Sequence, residues 1–441
     1  MRALPLRRLP PLDAMIRALD PSGRVWLDGE PGHPEGRWTF LASEPAETRV
    51  ASFAEDPWAP FDGIEGTSGA IEGAPLDHAM LPWWIGYVAY DAAWSEARRL
   101  GLRAPMRHAR GAQPVVCLSR YEALVAIDHV AGAGWVVGSD PRALETLRDR
   151  LEAASEVESR AVVGPATVPA ASAHRGAIER ALAAIAAGEI YQVNLARRWT
   201  APYEGSPLVL WRAMRAASPV PLGMYLERPG HAVLGRTMER FLRWDRRDRR
   251  LWTSPIKGTI ARSGSDDAAE AARLSNDDKE RAEHAMIVDL MRNDLSRVAT
   301  TGSVKVRAPL RVEPFAGLSH LVSTVECETR EDVGLREILE ATFPPGSITG
   351  TPKLRAMELI EREEPCARGV YTGALGYIDR AGGLSLAVAI RTAVIADDIA
   401  TYFAGGGLVS ASDPDREIAE TELKAKVFLE ALNRVREENL Y

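Results

Sequence analysis

Strand-like runs separated by turn signals fill the first third of the sequence. The runs are rich in branched and aromatic residues, and clusters of Gly and Pro lie between them. They read RVWLDG, RWTFLASEP, TRVASF, WWIGYVAYD and VVCLSRYEALVAID. Further along, strands and helices mix without the regular β-α-β alternation of a doubly wound sheet. We therefore predict an α+β fold.

A change in composition divides the chain. The helical pattern of PRALETLRDRLEAA is followed by EVESRAVVGPATVPAASA, which has no periodicity and is rich in Pro, Ala and Ser. Helical spacing then resumes in HRGAIERALAAIAAGEI. We expect a β-rich N-terminal region at residues 1–155, a linker at 156–172 and a second region at 173–441.

Charge and cysteine content exclude several classes of protein. The formal net charge of −7 over 441 residues argues against an electrostatic nucleic-acid binder. The three cysteines form no CxxC pair, which is typical of a reducing compartment. No apolar run has the ~20 residues of a membrane span, and the proline-containing N-terminus does not resemble a signal peptide. We expect a cytoplasmic protein with neither nucleic-acid nor membrane partners.

Two helical segments each carry a pair of glutamates. DDKERAEHAMIVDLMRNDLSRV contains Glu280 and Glu283, and SDPDREIAETELKAKVFLEAL contains Glu417 and Glu420, with Lys424 one turn further on. The i, i+3 spacing places both carboxylates of a pair on one helix face. Such pairs are typical of solvated surfaces, but two of them together could also hold a hard cation such as Mg²⁺.

Three further features suggest contact with an anion or a close backbone approach. AVAIRTAVI places Arg391 in an apolar run that reads as one strand, where a buried charge would need an anionic partner. FAGGGLV places Gly405, Gly406 and Gly407 where a ligand, or a tight bend, could require the absence of side chains. TFPPGSITGTPKLRAMELI predicts a loop that enters a helix with Pro352 in its first turn.

Several blocks, taken together and in order, resemble the chorismate-utilising family, which comprises anthranilate, aminodeoxychorismate, isochorismate and salicylate synthases. The blocks are GEIYQVNLARRW, SPIKGT, DKERAEHAMIVDLMRNDLSRV, LSHLVSTVE, FPPGSITGTPKLRAMELI, RGVYTGALGYI, AIRTA and GGGLVSASDPDREIAETELKAK. They cover most of residues 174–427. By this resemblance, residues 173–441 form a chorismate-binding catalytic region.

The resemblance also implies a fold, a cofactor and a set of site residues. The fold has two facing antiparallel β-sheets flanked by helices, and residues 1–155 contribute to it. The cofactor is Mg²⁺, which grips the ring carboxylate of chorismate and is held by Glu280, Glu283, Glu417 and Glu420. The family's substrate-binding positions fall on Gly258, Thr259, His320, Ser347, Tyr371, Arg391, Gly405, Gly407 and Lys424.

Lys257 in TSPIKGT is the most informative of these matches. Anthranilate synthases carry alanine there, whereas aminodeoxychorismate synthases resemble this chain in PIKG and YQVNL. The resemblance implies that the lysine amine attacks C2 of chorismate, that Glu239 protonates the departing 4-hydroxyl, and that ammonia then adds at C4. About one free lysine in a thousand is neutral near pH 7, so burial and a nearby Mg²⁺ would both have to favour the neutral amine. Alternatively, Lys257 pairs with a substrate carboxylate.

Gln192 favours the same reaction. Isochorismate and salicylate synthases place a water-activating lysine at this position of the strand, and a glutamine amide cannot act as that base. The expected product is 4-amino-4-deoxychorismate, which leads to 4-aminobenzoate and folate. The alternatives are anthranilate synthase component I, which Lys257 and Asn194 disfavour, and a non-catalytic chorismate-binding subunit.

Two departures from the family pattern lie close to the expected site. Thr237 and Met238 precede Glu239 where the family has Ser-Pro, and Ser254 stands where an arginine usually precedes PIKG. No cysteine lies in a glycine-flanked nucleophile loop. We therefore expect ammonia to come from a separate glutamine amidotransferase subunit.

Overall fold

The computed structural model of the chain describes residues 1–102, 106–155, 159–261, 267–315 and 318–438. Within these ranges no helix is both long and apolar enough to span a lipid bilayer. The helices are α1 (Leu12–Ala18), α2 (Ala92–Arg99), α3 (Pro141–Glu152), α4 (Ala171–Ala186), α5 (Pro207–Ala217), α6 (Asp267–Asn276), α7 (Asp278–Ser296), α8 (Leu335–Thr342), α9 (Lys353–Glu363) and α10 (Pro414–Glu438).

The strands alternate with these helices along the chain. They are β1 (Arg2–Pro5), β2 (Val25–Asp28), β3 (Trp38–Ala42), β4 (Glu47–Ala51), β5 (Pro82–Val88), β6 (Val116–Arg120), β7 (Ala123–Asp128), β8 (Ala133–Gly138), β9 (Ala161–Val163), β10 (Gln192–Gly205), β11 (Leu222–Arg228), β12 (His231–Thr237), β13 (Arg240–Asp245), β14 (Arg250–Ser254), β15 (Ile256–Ala261), β16 (Lys305–Phe315), β17 (Leu318–Glu328), β18 (Gly350–Thr351), β19 (Ala374–Asp379), β20 (Leu384–Val388), β21 (Thr392–Ala396) and β22 (Ile399–Leu408).

Among the described residues, the strands form a 12-stranded and a 10-stranded sheet. The larger sheet has the order β1-β8-β7-β3-β2-β11-β12-β21-β22-β10-β18, with β9 beside β10. The smaller has the order β15-β17-β14-β13-β20-β19-β5-β6-β4, with β16 beside β17. Neighbouring strands are antiparallel, for example β10 with β22 and β13 with β20. The predicted α+β fold with two antiparallel sheets is confirmed.

Side-chain alternation explains why the two sheets face each other. On β2 and β11, Leu27 and Met224 pack in one core cluster with Trp84 and Leu242 of the smaller sheet. Trp26, which points to the opposite face of β2, packs in a second cluster with side chains of α5 and α10. The larger sheet therefore buries apolar side chains on both faces, one against the smaller sheet and the other under the helices.

The helices cover the outer faces. The second core cluster joins the larger sheet to α1, α3, α5 and α10, and a third joins α4 and α9 to β10. On the smaller sheet, α7 and α8 contribute Ile287, Met291 and Leu339 to the core between the sheets and its edge. The spacing of Ile287 and Met291 is the helical spacing that predicted α7.

The N-terminal and C-terminal parts of the chain interleave in both sheets. β2 pairs with β11 in the larger sheet, and β5 pairs with β19 in the smaller. Inside the predicted linker at 156–172, Ala161–Val163 form β9 and pair with the end of β10. The N-terminal region is therefore part of the same sandwich that carries the second half.

At two neighbouring points the chain passes from one sheet to the other. β12 belongs to the larger sheet and β13 to the smaller, so Glu239 lies in the crossing between them. β20 belongs to the smaller sheet and β21 to the larger, and Arg391 lies in the crossing between them. The two crossings are joined by backbone hydrogen bonds, in which Val388 N–H donates to Glu239 O at 2.9 Å and Arg236 N–H donates to Arg391 O at 3.0 Å.

Two local predictions are corrected by this geometry. Arg391 does not lie inside one apolar strand; it separates β20 from β21 and has a positive φ of 52°. Pro352 is the N-cap of α9 rather than a residue of its first turn. Thr351 belongs to β18, which pairs with β10. In both cases tertiary strand pairing overrides the local pattern.

A close backbone approach at Gly86 provides a test of the smaller sheet. A Cβ at Gly86 would lie 1.8 Å from the carbonyl oxygen of Cys117 on the neighbouring strand β6. Because backbone cannot yield as a side chain can, Gly86→Ala should lower the free energy of unfolding by about 1–3 kcal/mol or more. Chemical denaturation would measure this. Gly111→Ala is the control, since the nearest atom there is 4.0 Å away, and an equal loss in both variants would contradict the expectation.

Candidate active site

Lys257 is presented by a β-bulge. In the pairing of β15 with β17, Gly258 is an extra residue between Lys257 and Thr259. Gly258 has φ +75°, and a Cβ there would lie 2.9 Å from Glu280 Oε2. Both facts favour glycine, and a bulge re-aims the side chains beside it. The side chain of Thr259, a predicted substrate contact, lies outside the described residues.

The amine of Lys257 faces carboxylates. Its Nζ is 2.9 Å from Glu283 Oε2, and the two side chains are 23% and 12% exposed. Burial alone would lower the pKa of Lys257, but Glu283, followed by Glu420 and Glu280, raises it overall. The paired carboxylates outweigh burial and favour the ammonium, so the neutral amine expected from the sequence would also require the second condition, a nearby Mg²⁺.

The predicted glutamate pairs converge on this amine from two helices. Glu280 and Glu283 come from the first turns of α7, and Glu417 and Glu420 from the first turns of α10. Glu417 Oε2 is 2.9 Å from the position of a Cβ on Gly406.

These carboxylates can be compared with the needs of a magnesium ion. Among the described residues, no three His, Cys, Asp or Glu side chains form a closed metal-binding group. However, carboxylates of both helices act on the same Lys257 ammonium, so they already hold one cation. All-oxygen donors in separate pairs fit Mg²⁺, which keeps several waters and takes only one or two protein carboxylates.

Lys424 links α10 to the glycine-rich strand β22. Its Nζ donates to the carbonyl oxygen of Gly405 at 2.8 Å and lies 2.6 Å from Glu420 Oε1. Burial would raise the pKa of Glu420, but Lys424, then Lys257 and Arg391, hold it below its ordinary value. Three cationic side chains therefore share the acidic face of α10.

Glu239 is buried at the sheet crossing. Its Oε1 accepts a hydrogen bond from Ser347 Oγ at 2.6 Å. Burial raises the pKa of Glu239 to about 7, although Ser347, Lys424 and Lys257 all act to lower it. Thr237, one of the departures from the family pattern, accepts the Glu239 N–H at 3.3 Å through Oγ1. The carboxyl group can therefore hold a proton near neutral pH.

The glycines of β22 are explained by close contacts, and β22 does not bend there. Gly405, Gly406 and Gly407 stay in regular register with β10. A Cβ on Gly405 would lie 2.9 Å from the hydroxyl of Tyr371, whose ring stacks on Phe403 with centroids 5.1 Å apart. Burial raises the pKa of Tyr371, so its phenol stays protonated and can donate a hydrogen bond.

Gly407 faces three polar side chains. The position of a Cβ on Gly407 is 2.8 Å from Asn194 Oδ1, 3.2 Å from Gln192 Nε2 and 3.5 Å from Lys257 Nζ. As the alternation of β10 predicted, Gln192 and Asn194 lie on this side, whereas Val193 packs in the core under α4 and α9.

Arg391 and His320 complete the predicted set. Arg391 is partly exposed and acts on two buried rings. Burial raises the pKa of Tyr402 although a hydrogen bond from Arg391 opposes this rise, and the charge of Arg391 also acts on His320. His320 Nδ1 is 3.1 Å from the carbonyl oxygen of Gly258, so Nδ1 carries the proton. Burial lowers the pKa of His320 to about 4, which keeps the ring neutral.

Comparison with known proteins assigns this site to a family. The sequence profile of a family described as chorismate binding enzyme matches residues 24–430. The chain belongs to the chorismate-binding enzyme family. The matched range includes strands from both the N-terminal and the C-terminal parts of the sandwich.

Curated relatives include enzymes with different names. The chain is 35% identical to an aminodeoxychorismate synthase of Streptomyces pristinaespiralis, over 97% of this chain and 64% of the relative. It is 40% identical to anthranilate synthase component 1 of Aquifex aeolicus, over 58% of this chain and 52% of the relative. It is also 40% identical to aminodeoxychorismate synthase component 1 of Escherichia coli, over 56% and 54%. This chain therefore spans about half to two thirds of the length of these relatives.

Solved structures of chorismate-binding enzymes share the fold. Anthranilate synthase component I from Streptococcus pneumoniae TIGR4 superposes with a TM-score of 0.75 at 28% identity, covering 90% of this chain and 93% of the other. MenF, the menaquinone-specific isochorismate synthase of Escherichia coli, gives a TM-score of 0.72 at 20% identity, covering 98% and 94%. The second similarity shows the fold alone.

Sequence reasoning on this chorismate-binding enzyme missed a buried ion pair behind the site. Arg368 donates to both carboxylate oxygens of Glu364, at 2.6 and 2.9 Å, and to the carbonyl oxygens of Asn194 at 2.7 Å and Ile348 at 3.2 Å. It thereby ties β10 to the turn that carries Ser347. The spacing of Glu364 and Arg368 gave no signal, because i, i+4 pairs are common on exposed helices.

His284 was also missed. It follows Glu283 on α7, and its Nε2 is 2.7 Å from Ser323 Oγ. Burial, with a smaller effect of Lys257, lowers the pKa of His284 to about 4. A neutral ring therefore packs beside the Lys257–Glu283 pair.

Stability measurements can test the state of Glu239 without an activity assay. With a pKa raised to about 7, the folded state binds more protons than the unfolded state between about pH 4.5 and 7. Wild-type stability contributed by this group should therefore fall as the pH rises through that window, and Glu239→Gln removes the effect. We define the difference as the free energy of unfolding of Glu239→Gln minus that of wild type. This difference should be larger at pH 8 than at pH 4 by up to about 3 kcal/mol, because only wild type loses stability as the pH rises.

The exposed Glu145 on α3 provides the control for that measurement. Glu145→Gln lacks the burial that drives the effect and should show no change of this size. A difference between wild type and Glu239→Gln that is the same at both pH values would contradict a protonated Glu239.

Proposed function

We propose that this chain is an aminodeoxychorismate synthase component I, which converts chorismate and ammonia to 4-amino-4-deoxychorismate. The observation that carries the proposal is the convergence of Lys257 with Asn194 and Gln192 on one face of Gly407. The 35% identity to a protein named aminodeoxychorismate synthase over nearly the whole chain supports it. In such a reaction the amine has to reach the ring while water is not activated.

In the first half-reaction, Lys257 is the nucleophile. Its neutral amine attacks C2 of chorismate and forms a C–N bond, both ring double bonds shift by one position toward C4, and the bond from C4 to its hydroxyl breaks. Glu239 gives its proton to the departing oxygen, which leaves as water. The pKa of about 7 suits Glu239 to this role, because the acid is protonated near neutral pH and can still give up the proton.

In the second half-reaction, ammonia takes the place of lysine. Its nitrogen forms a bond to C4, both ring double bonds shift back, and the C2–N bond to Lys257 breaks. Lys257 leaves as a neutral amine with its electron pair, and the ammonium formed at C4 returns one proton to the Glu239 carboxylate. The sum of the two steps is chorismate plus ammonia giving 4-amino-4-deoxychorismate plus water.

The basic and polar residues around Lys257 would bind the substrate carboxylates. Arg391 and Lys424 supply charge, and Tyr371 supplies a protonated hydroxyl beside Gly405. His320 is neutral and fixes the carbonyl of Gly258, so it would shape the wall of the pocket.

Glu280, Glu283, Glu417 and Glu420 would hold a magnesium ion, in part through water. When bound, Mg²⁺ would neutralise these carboxylates and grip a substrate carboxylate. The same glutamates raise the pKa of Lys257 in their charged form, so the amine becomes a better nucleophile when their charge is matched elsewhere.

The ammonia would come from a separate glutamine amidotransferase subunit in a cytoplasmic enzyme of 4-aminobenzoate and folate synthesis. The name "component 1" of the Escherichia coli relative supports a two-part enzyme. Anthranilate synthase component I is the second candidate, because the Aquifex aeolicus relative bears that name at 40% identity. The product of the reaction distinguishes the two.

Product analysis of Lys257→Ala is the direct test. The chain would be incubated with chorismate, Mg²⁺ and ammonium, and the products separated by chromatography. Wild type should form 4-amino-4-deoxychorismate, and Lys257→Ala should fall to background because the nucleophile is gone. Acid quench and intact-mass analysis of wild type without ammonium should show chorismate minus water added to the chain.

Lys305→Ala, an exchange at an exposed lysine on β16, should leave product and adduct unchanged. Anthranilate as the wild-type product would reject the proposed function. Equal activity in wild type and Lys257→Ala would reject the covalent step.

Magnesium binding can be tested apart from activity. Calorimetric titration of Mg²⁺ into the chain with chorismate present should show binding that Glu420→Gln weakens by roughly 10- to 100-fold. Glu430→Gln, further along α10 and paired only with Lys426 in the described ion pairs, should bind as wild type does. Indistinguishable binding by all three proteins would place the metal elsewhere.

A further inference from the structure

Asn194 has an amide whose orientation is fixed from one end. Its Nδ2 donates to the carbonyl oxygen of Ser347 at 2.7 Å. Because a carbonyl oxygen can only accept, the nitrogen has to be at this end and the amide oxygen at the other. Asn194 therefore presents an acceptor, and never a donor, to whatever lies beside Oδ1.

That acceptor opens onto the face of Gly407. The position of a Cβ there is 2.8 Å from Asn194 Oδ1 and 3.5 Å from Lys257 Nζ. Gln192 Nε2, at 3.2 Å from the same point, is a donor. Since Gly407 has no side chain, these three polar atoms can lie close together against one face of its backbone.

A nitrogen nucleophile is the chemical partner that suits Asn194 Oδ1. An amine carries N–H donors and one lone pair, and a fixed acceptor for one N–H bond restricts the direction of the lone pair. A neutral amide does this without adding to the negative charge of the glutamates.

We propose that Asn194 is a positioning residue, whose Oδ1 accepts an N–H bond from the amine that attacks the ring. The inference rests on the proposed function, and the amine is either Lys257 itself or the incoming ammonia. Asn194 is also linked to the general acid, because the Ser347 whose carbonyl it binds donates through Oγ to Glu239. Nucleophile and acid are thus linked through two bonded residues, Asn194 and Ser347.

Two variants separate the acceptor from the donor of Asn194. Asn194→Ala removes both, whereas Asn194→Asp keeps an oxygen toward Gly407 and loses the bond to Ser347. The readouts are kcat and the KM values for chorismate and for ammonium, with 4-amino-4-deoxychorismate as product. We expect Asn194→Ala to lose roughly tenfold in kcat/KM, the effect of one hydrogen bond, and Asn194→Asp, which keeps the acceptor but adds a charge beside Lys257, to lose less.

The pattern of the constants identifies the amine. A higher KM for ammonium in Asn194→Ala, with unchanged KM for chorismate, assigns the hydrogen bond to ammonia. A lower kcat at saturating ammonium, with slower formation of the Lys257 adduct and unchanged KM for ammonium, assigns it to Lys257. Asn433→Ala, an exchange at an exposed asparagine of α10, should change none of these constants.

Other outcomes overturn the inference. If Asn194→Asp is as impaired as Asn194→Ala while both unfold at the wild-type temperature, the bond to Ser347 matters and the acceptor does not. Constants within twofold of wild type in Asn194→Ala would also reject it. Anthranilate as the wild-type product rejects the proposed function but leaves the ammonium comparison valid, whereas no ammonium-dependent consumption of chorismate rejects both.

Discussion

The site depends on two backbone crossings that are hydrogen-bonded to each other between the sheets. Glu239 occupies one crossing and Arg391 the other, and the bonds from Val388 and Arg236 fix the spacing of their backbones. The proposed general acid and the proposed substrate-binding cation are therefore placed by the architecture itself, and burial raises the pKa of Glu239.

Charge balance is the second determinant of the chemistry. Lys257 is surrounded by carboxylates of two helices, and they stabilise the form of its amine that cannot attack carbon. A lysine buried in an apolar pocket would be a better nucleophile, because its amine would be neutral, but a neutral amine could not balance the negative charge of the glutamates. Anything that neutralises those carboxylates would therefore also favour the neutral form of the amine.

The sequence predicted those parts of the site that depend on local pattern. The helices α7 and α10 were evident from apolar spacing, and their glutamates from the i, i+3 interval, because both are properties of a single helix. The switch of sheets at Arg391 was not predicted, since the apolar pattern is the same on both sides of it. The partners of Lys257 were equally hidden, because Glu283 and Glu420 reach it only through tertiary packing, and burial alone suggested the opposite shift of its pKa.

The interleaving of early and late strands also affects synthesis of the chain. β2 can pair early with β3, and β5 with β6, but the second edge of β2 waits for β11 and that of β5 for β19. These later pairings join residues that are distant in sequence. Chains dominated by such contacts fold slowly. Because Glu417, Glu420 and Lys424 lie in α10, the pocket has no complete set of charges until nearly the whole chain has left the ribosome. Until then, unpaired edges of β2 and β5 would be exposed to the cell, and protection of these edges by chaperones would matter more than for a protein with local contacts.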